Sequence, residues 1–456
     1  MRRAACLSFV AALLVPFAEP PVSALSAQRP AFAEATAGRP SAETKPYLDA
    51  AIEAGKWIRG SAVKTPAGLA WPADPADPDS ANTSLYGGFP GVVLFLLELH
   101  HATGNGEYLK EARLGADELM AGLPKETEAG LYTGASGMGF ALGEIYRATN
   151  DTKYRDAVRA IVRTLNDRAK PAGSGVQWSD ITDIIGGSAG VGLFLLYAHE
   201  TVGDDAARAL AVRAADRLIE LGQPEHGGLF WAMDPKFPRK MPNFSHGTAG
   251  IAYFLTAVYD ATREKKYLDA ALAGARYLQA IAKTEGDICL IPHNQPDGLD
   301  LYYLGWCHGP TGTARLWYRL AKSTGEASWM EWVGKSARAI ARSGIPETRT
   351  PGFWNNVSQC CGSAGVAQFF LDLSGVTKDP QYLDFSKRMT ADLLARATRD
   401  EKGLRWVQAE HRVRPELLVA QTGYMQGAAG IGMWLLRLDA AERGKTPFVR
   451  FPDTPF

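Results

Sequence analysis

The sequence predicts an all-α chain in which seven apolar helices alternate with seven amphipathic helices and close into a double ring. Three observations predict it. A Gly-x-x-Gly turn recurs seven times, at Gly88/Gly91, Gly134/Gly137, Gly187/Gly190, Gly247/Gly250, Gly309/Gly312, Gly362/Gly365 and Gly427/Gly430, with steps of 46 to 65 residues. An internal period of that size marks an array of similar units. Each turn is followed by an apolar segment of helical length, such as Val92-Val93-Leu94-Phe95-Leu96-Leu97. Finally, the residue 17 positions after the second Gly is Tyr108, Tyr154, Ala207, Tyr267, Trp329 and Tyr382 in turns one to six. Each opens a more polar segment whose apolar residues recur at helical spacing.

In chain order, Arg2 and Arg3 precede an apolar run, Leu7 to Phe17, and then small residues. That is the pattern of an export signal, and the run is too short to span a bilayer. Residues 1–27 are expected to be a signal peptide, and residues 28–44, rich in Ala, Pro, Ser and Thr, a disordered linker. The ring is expected to fill residues 45–456. Tyr47-Leu48 opens an outer segment ahead of the first turn. Apolar segments should be buried on all sides and amphipathic ones should half face water. Closure is favoured over an open solenoid because no polar capping unit is visible. The glycines are expected to supply unusual backbone angles and close approach of neighbouring chains. In a ring, the inner helix N-termini face one central opening, whose partial positive charge favours anions and thiolates.

Lys+Arg and Asp+Glu are both 49, so no basic excess points to nucleic acid or an anionic membrane. The expected product is a monomer without stable membrane insertion. Five cysteines, at 6, 289, 307, 360 and 361, are too few for a disulfide scaffold.

Reactive types cluster when the turns are aligned. Just before the first Gly stand Gly87, Thr133, Gly186, His246, His308, Cys361 and Gln426; one position earlier stand Tyr86, Tyr132, Ile185, Ser245, Cys307, Cys360 and Met425. Equivalent positions of adjacent units face the same opening, so Cys307 should meet Cys360 and Cys361. Three thiols with an open fourth position describe a catalytic Zn2+ site. The competing readings are small buried hydrophobes or a Cys307–Cys360 disulfide. His308 is a spare donor, able to replace a Cys or to line the pocket. His246 fits a general acid/base or a helix-start histidine bonding backbone. Asp183, four before its Gly, fits the cavity or a loop cap, and Asp180 is a weaker candidate for the same slot. His100 and His101 are expected at the surface, and Cys289 buried and inert. Arg239-Lys240 and Arg399-Asp400-Glu401-Lys402 read as solvated loops.

The seven turns, Ser245-His246-Gly247, Trp306-Cys307-His308-Gly309 and Cys360-Cys361-Gly362 resemble the lanthionine synthetase C-like family over residues 45–445. The resemblance implies an α/α toroid with a central zinc. It implies thioether formation, in which a zinc-bound thiol adds to a dehydroalanine or dehydrobutyrine and the enolate is then protonated. It implies metal ligands Cys307, Cys360 and Cys361, with Cys361 where the family commonly has His, and a more nucleophilic bound thiolate for that reason. His246 matches the family's acid/base His and Asp183 its cavity Asp. Tyr303 stands where lanthipeptide cyclases can carry an Arg, so enolate stabilisation by that Arg is not expected. Tyr303 and His308 would surround the metal ligands. The substrate would be a peptide or a small thiol such as glutathione. Two further readings remain: a carbohydrate-active enzyme using Asp180, Asp183 and the aromatics Trp306 and Trp354, and a binding protein that keeps the toroid without catalysis.

Overall fold

The structure, a computed structural model, describes residues 45–237, 239–348, 356–408 and 418–456. The expected signal and linker, Cys6 and Trp354 lie outside them. Fourteen α-helices are present among the described residues. The inner helices are α2 (Phe89–Thr103), α4 (Ala135–Thr149), α6 (Ser188–Val202), α8 (Thr248–Thr262), α10 (Pro310–Thr324), α12 (Ser363–Thr377) and α14 (Ala428–Glu442). The outer helices are α1 (Pro46–Gly60), α3 (Gly106–Gly122), α5 (Thr152–Arg168), α7 (Asp205–Leu221), α9 (Lys265–Ile281), α11 (Ser328–Ala341) and α13 (Pro380–Ala395). Each inner helix packs on the next and α14 packs on α2, while the first outer helix, α1, packs on α14. The ring is closed. None of these helices is long and apolar enough to cross a membrane.

Every inner helix begins at the residue after the first Gly of its turn, so the second Gly falls within its first helical turn. Neither glycine uses a left-handed backbone; the first ones have φ between −94° and −153°. The expected conformational reason therefore fails here, and close approach remains. A Cβ on Gly312 would lie 2.7 Å from Phe244 Cβ, and one on Gly137 would lie 2.8 Å from Leu85 Cβ. The neighbouring-turn residue that comes close is the one three before the first Gly of the preceding turn, and nearer still is the carbonyl of each glycine's own turn, Trp306 O and Leu131 O. Positive φ occurs instead at the corners between inner and outer helices, at Gly104, Asn150, Gly203, Arg263, Gly325 and Lys378.

A closed circle of backbone hydrogen bonds links the turns. Tyr86 N donates to Tyr132 O, Tyr132 N to Ile185 O, Ile184 N to Ser245 O, Ser245 N to Cys307 O, Cys307 N to Cys360 O, Cys360 N to Met425 O, and Met425 N to Tyr86 O. The lengths run from 2.8 to 3.3 Å. All seven turns take part, with a one-residue slip at turn three.

The aromatic marker sits in the first turn of each outer helix that carries it. Tyr154 donates to Asp117 of α3 at 3.0 Å and Tyr267 to Asp216 of α7 at 2.8 Å, tying consecutive outer helices. Short antiparallel ribbons supplement the helices. They include β1/β2 (Val63–Lys64, Leu69–Ala70), β3/β4 (Lys170–Ala172, Gly175–Gln177), β5/β6 (Gln223–Glu225, Gly228–Phe230) and β7/β8 (Thr398–Asp400, Gly403–Arg405). The run Arg399–Lys402 is thus the tip of a hairpin rather than a loop, and Arg239 and Lys240 are paired with Asp297 and Glu225. Each of these four ribbons ends in Gly-x-x-Trp, at Trp71, Trp178, Trp231 and Trp406. The indoles of Trp178, Trp231 and Trp406 donate to Leu165 O, Leu218 O and Leu393 O at 2.6 to 2.8 Å, in the last turn of the preceding outer helix. Their glycines lie against the following outer helix; a Cβ on Gly403 would lie 2.9 Å from Trp57 N of α1. The ribbons therefore clasp successive outer helices, across the closure as well.

Gly137→Ala should lower the unfolding free energy by about 1–3 kcal/mol, the cost of overpacking a close-packed contact, measured by urea titration. Cys289 is buried, and desolvation pushes its thiol from 9.0 up to about 12. The unfolded chain then ionises first, so its stabilising contribution is complete below pH 9 and is lost as pH rises towards 12. The wild-type stability curve should fall more steeply than that of Cys289→Ala over this window, by up to about 1.4 kcal/mol per pH unit, read by denaturation at stepped pH.

Candidate metal centre

The belt of backbone bonds brings turns five and six together, and Cys307 N donates directly to Cys360 O at 3.2 Å. Cys361 Sγ lies 3.1 Å from Cys307 Sγ and 3.0 Å from Cys360 Sγ. All three sulfurs lie within 4.8 Å of one another, and they form the one such group of potential ligands among the described residues. None of the described cysteines is in a disulfide, and the separations far exceed a disulfide bond of about 2.05 Å. Burial, and then the neighbouring Cys307 and Cys361, push the Cys360 thiol well above its ordinary value. Three thiols in contact resist joint ionisation unless a cation is among them. Around zinc, sulfurs bound at about 2.3 Å stand about 3.8 Å apart in a tetrahedron, so modest side-chain rotation would admit the ion. Soft donors, number and convergence all fit.

The approach depends on a residue that the sequence reading passed over. Gly305 stands four before the first Gly of turn five, and a Cβ there would lie 2.6 Å from Cys361 Cα. The same relation recurs: a Cβ on Gly130 would lie 2.6 Å from Gly186 Cα and one on Gly423 2.7 Å from Gly87 Cα. The position four before one turn's Gly thus touches the position just before the next turn's Gly. That rule also explains the second part of the site. Asp183 holds the first position in turn three and His246 the second in turn four. Asp183 Oδ2 lies 2.6 Å from His246 Nδ1, and its Oδ1 accepts from Gly186 N and Gly187 N at 2.9 and 3.0 Å. Both side chains are buried. The backbone amides at the start of α6 therefore fix the carboxylate, and the carboxylate fixes the imidazole.

His308 does not join the thiol group. Its ring stacks with His246 at 5.5 Å and meets His293 edge-on at 4.5 Å. Tyr303 is buried against His293 at 4.4 Å and His308 at 5.8 Å. His293 and Tyr86 are further residues that the sequence reading gave no role. Tyr86 donates its hydroxyl to Cys360 Sγ at 3.2 Å and accepts from Gln426 Nε2 at 2.8 Å, so turns one and seven also reach the cluster. The aligned rows contain Tyr86, but only closure reveals that it faces turn six.

Asp180 is not paired with Asp183. It is exposed, beside Lys236 at 3.4 Å and Gln177 at 3.3 Å. His101 is exposed and His100 half-buried.

A family model described as lanthionine synthetase C-like protein matches residues 79–451, through all seven turns. Among solved structures, nisin cyclase matches with a TM-score of 0.61 at 16% identity, covering 81% of this chain and 91% of that one. The Lin0763 protein from Listeria innocua matches at 0.50 and 15% identity, covering 88% and 99%. An inactive variant of an α-1,6-mannanase of Salegentibacter sp., in complex with α-1,6-mannotriose, matches at 0.49 and 15%, covering 86% and 99%. At such identities the likeness is one of fold. No curated protein sequence matches. With that family match spanning most of the chain, and the closed toroid shared with nisin cyclase, the protein belongs to the lanthionine synthetase C-like family.

Proposed function

We propose that this protein forms thioethers, adding a thiol to a dehydroamino acid or a similar electrophilic alkene at a zinc ion held by Cys307, Cys360 and Cys361. The observation that carries the reading is the convergence of three buried sulfurs on the face that also holds the His246–Asp183 pair. Zinc bound there supplies Lewis acidity, which deprotonates a coordinated thiol at neutral pH.

The chain's own residues account for the rest. Cys307, Cys360 and Cys361 would hold the ion and leave room for the substrate thiol. As three thiolates they would put more negative charge on it than two thiolates and an imidazole, which would make the substrate sulfur a better nucleophile. Asp183 orients His246, so that Nδ1 carries its proton towards the carboxylate and Nε2 is left to move one. In the addition, the sulfur forms a bond to the β-carbon, the alkene π pair moves to the α-carbon and carbonyl as an enolate, and the substrate thiol's proton returns through His246 to the α-carbon. Tyr303 brings no fixed charge to that enolate. Its rapid protonation by His246 carries the correspondingly greater share.

The export signal read in residues 1–27 would place the reaction outside the cytoplasm, on a peptide or a small thiol. Purified protein should hold about one zinc per chain, and Cys361→Ala should lose most of it. His246→Ala should keep the metal and lower the rate of thiol addition by about 100-fold or more, the usual contribution of a general acid. Metal analysis and a thiol-addition assay on a dehydroalanine peptide check both. Full metal content in Cys361→Ala would refute the ligand set. A zinc-loaded wild type inert towards every alkene acceptor would favour the binding-protein reading instead.

A further inference from the structure

The hollow of the ring, below the turns, is filled by the chain's own C-terminus. After α14 the tail turns inward. Phe448 N and Val449 N donate to the Glu98 carboxylate of α2 at 3.2 and 2.6 Å. Phe451 stacks on Tyr424 of turn seven at 4.3 Å and 17°. Tyr253 of α8 donates to Pro452 O at 3.4 Å, and Thr454 N donates back to Phe451 O at 3.1 Å. Phe456 stacks on Tyr318 of α10 at 4.5 Å. The tail thus enters, makes a tight turn directly beneath the Gly-x-x-Gly turns, and folds back. The void left there, between Trp306, Gln359 and the turn, is about 10 Å³, too small to be a binding pocket.

Asp453 stands at the tip of that turn and is 1% exposed. Its Oδ2 accepts from Trp306 Nε1 at 3.1 Å and from Arg315 Nη1 at 2.9 Å, and its backbone carbonyl accepts from Arg315 at 3.0 Å. Trp306 immediately precedes Cys307. Its indole also meets the rings of Tyr132 and Phe244 at 5.4 and 5.8 Å. The Cys307 peptide is held from above by the backbone belt, while the residue before it is held from below by this carboxylate.

We infer that Asp453 is a positioning residue for the metal centre: by fixing Trp306 it sets the orientation of the Cys307 arm relative to Cys360 and Cys361. The inference rests on the metal-centre reading proposed above and extends it to a residue 146 positions after Cys307. A general filler of the hollow would need only the apolar groups of the tail. Burying a carboxylate is costly unless it is paired; here Arg315 pairs it, and the same oxygen also accepts from the indole next to the Cys307 thiol.

The test uses full-length protein. Zn2+ affinity is measured by chelator competition, and the Co2+-substituted protein by its thiolate charge-transfer and d–d bands, for wild type, Asp453→Ala, Asp453→Asn and Trp306→Phe. Thermal unfolding without metal controls for folding. Asp453→Ala and Trp306→Phe should each weaken Zn2+ binding by about 10-fold or more and shift the Co2+ bands. The double variant should be no weaker than Asp453→Ala, because that change already removes the indole contact that Trp306→Phe deletes. Asp453→Asn, which keeps an acceptor for the indole, should recover most of the affinity. If Asp453→Ala fails to fold, Trp306→Phe, which deletes the N–H and keeps most of the ring, decides alone. A folded variant with wild-type affinity and an unshifted Co2+ spectrum overturns this inference alone. A wild type that binds neither ion overturns the metal centre with it.

Discussion

The circle of seven backbone hydrogen bonds is the constraint on which the rest of the molecule depends. Each bond is ordinary, worth about 0.5–1.5 kcal/mol net. Their collective effect is geometric. A turn that donates to the turn ahead and accepts from the turn behind cannot move outward or rotate without breaking both bonds. The glycines follow from this. In six of the seven turns the second Gly is crowded by the residue three before the preceding turn's first Gly, the exception being Gly365, which meets the backbone of its own turn, and a Cβ there would force these contacts apart. The repeat is therefore written in glycine because seven helix starts must converge, and not because the turns need a left-handed backbone.

The belt also decides which side chains meet. Position four of one turn touches position one of the next, counting back from the first Gly. Where both are glycine, as in Gly423 and Gly87, the result is only close packing. Where they are Asp183 and His246, the same relation makes a buried carboxylate–imidazole pair. Where they are Gly305 and Cys361, it makes room for two thiol-bearing turns to sit side by side. One scaffold rule thus produces packing, a buried carboxylate–imidazole pair and a cluster of thiols, according to which residues occupy it. Burial, and then the neighbouring thiols, raise the Cys360 thiol well above its ordinary value, so three free thiolates are disfavoured there without a cation among them.

Much of this was legible in the sequence because it repeats. The Gly-x-x-Gly period and the aromatic marker predict the double ring, and alignment of the turns predicts that Cys307 meets Cys360 and Cys361. What was not legible falls into two kinds. Gly305, Gly130 and Gly423 repeat in only three of seven units, and Gly-x-x-Trp in four. Their spacing could have been noticed, but their meaning depends on which neighbouring turn or outer helix each one touches. The Tyr86 position carries Tyr again only in turn two, and Asp453 does not repeat at all. One reaches the cluster from turn one, across the closure, and the other from a tail with no counterpart in any unit. Periodicity can place only what is periodic.

Those two residues give the site a property that a local motif would lack. Cys360 receives the Tyr86 hydroxyl from 274 positions away, and that contact exists only when α14 packs on α2. Trp306 receives Asp453 from the last residues of the chain. A partly formed ring could still juxtapose turns five and six, because they are adjacent units. It could not seat Tyr86 on Cys360 or bring the tail beneath Trp306. Contacts of such sequence separation form only after the intervening chain has paid its loop-closure entropy. The thiol cluster therefore has its full set of contacts only in the closed toroid, and an ion bound there would depend on more of the chain than the Cys-Cys-Gly segment.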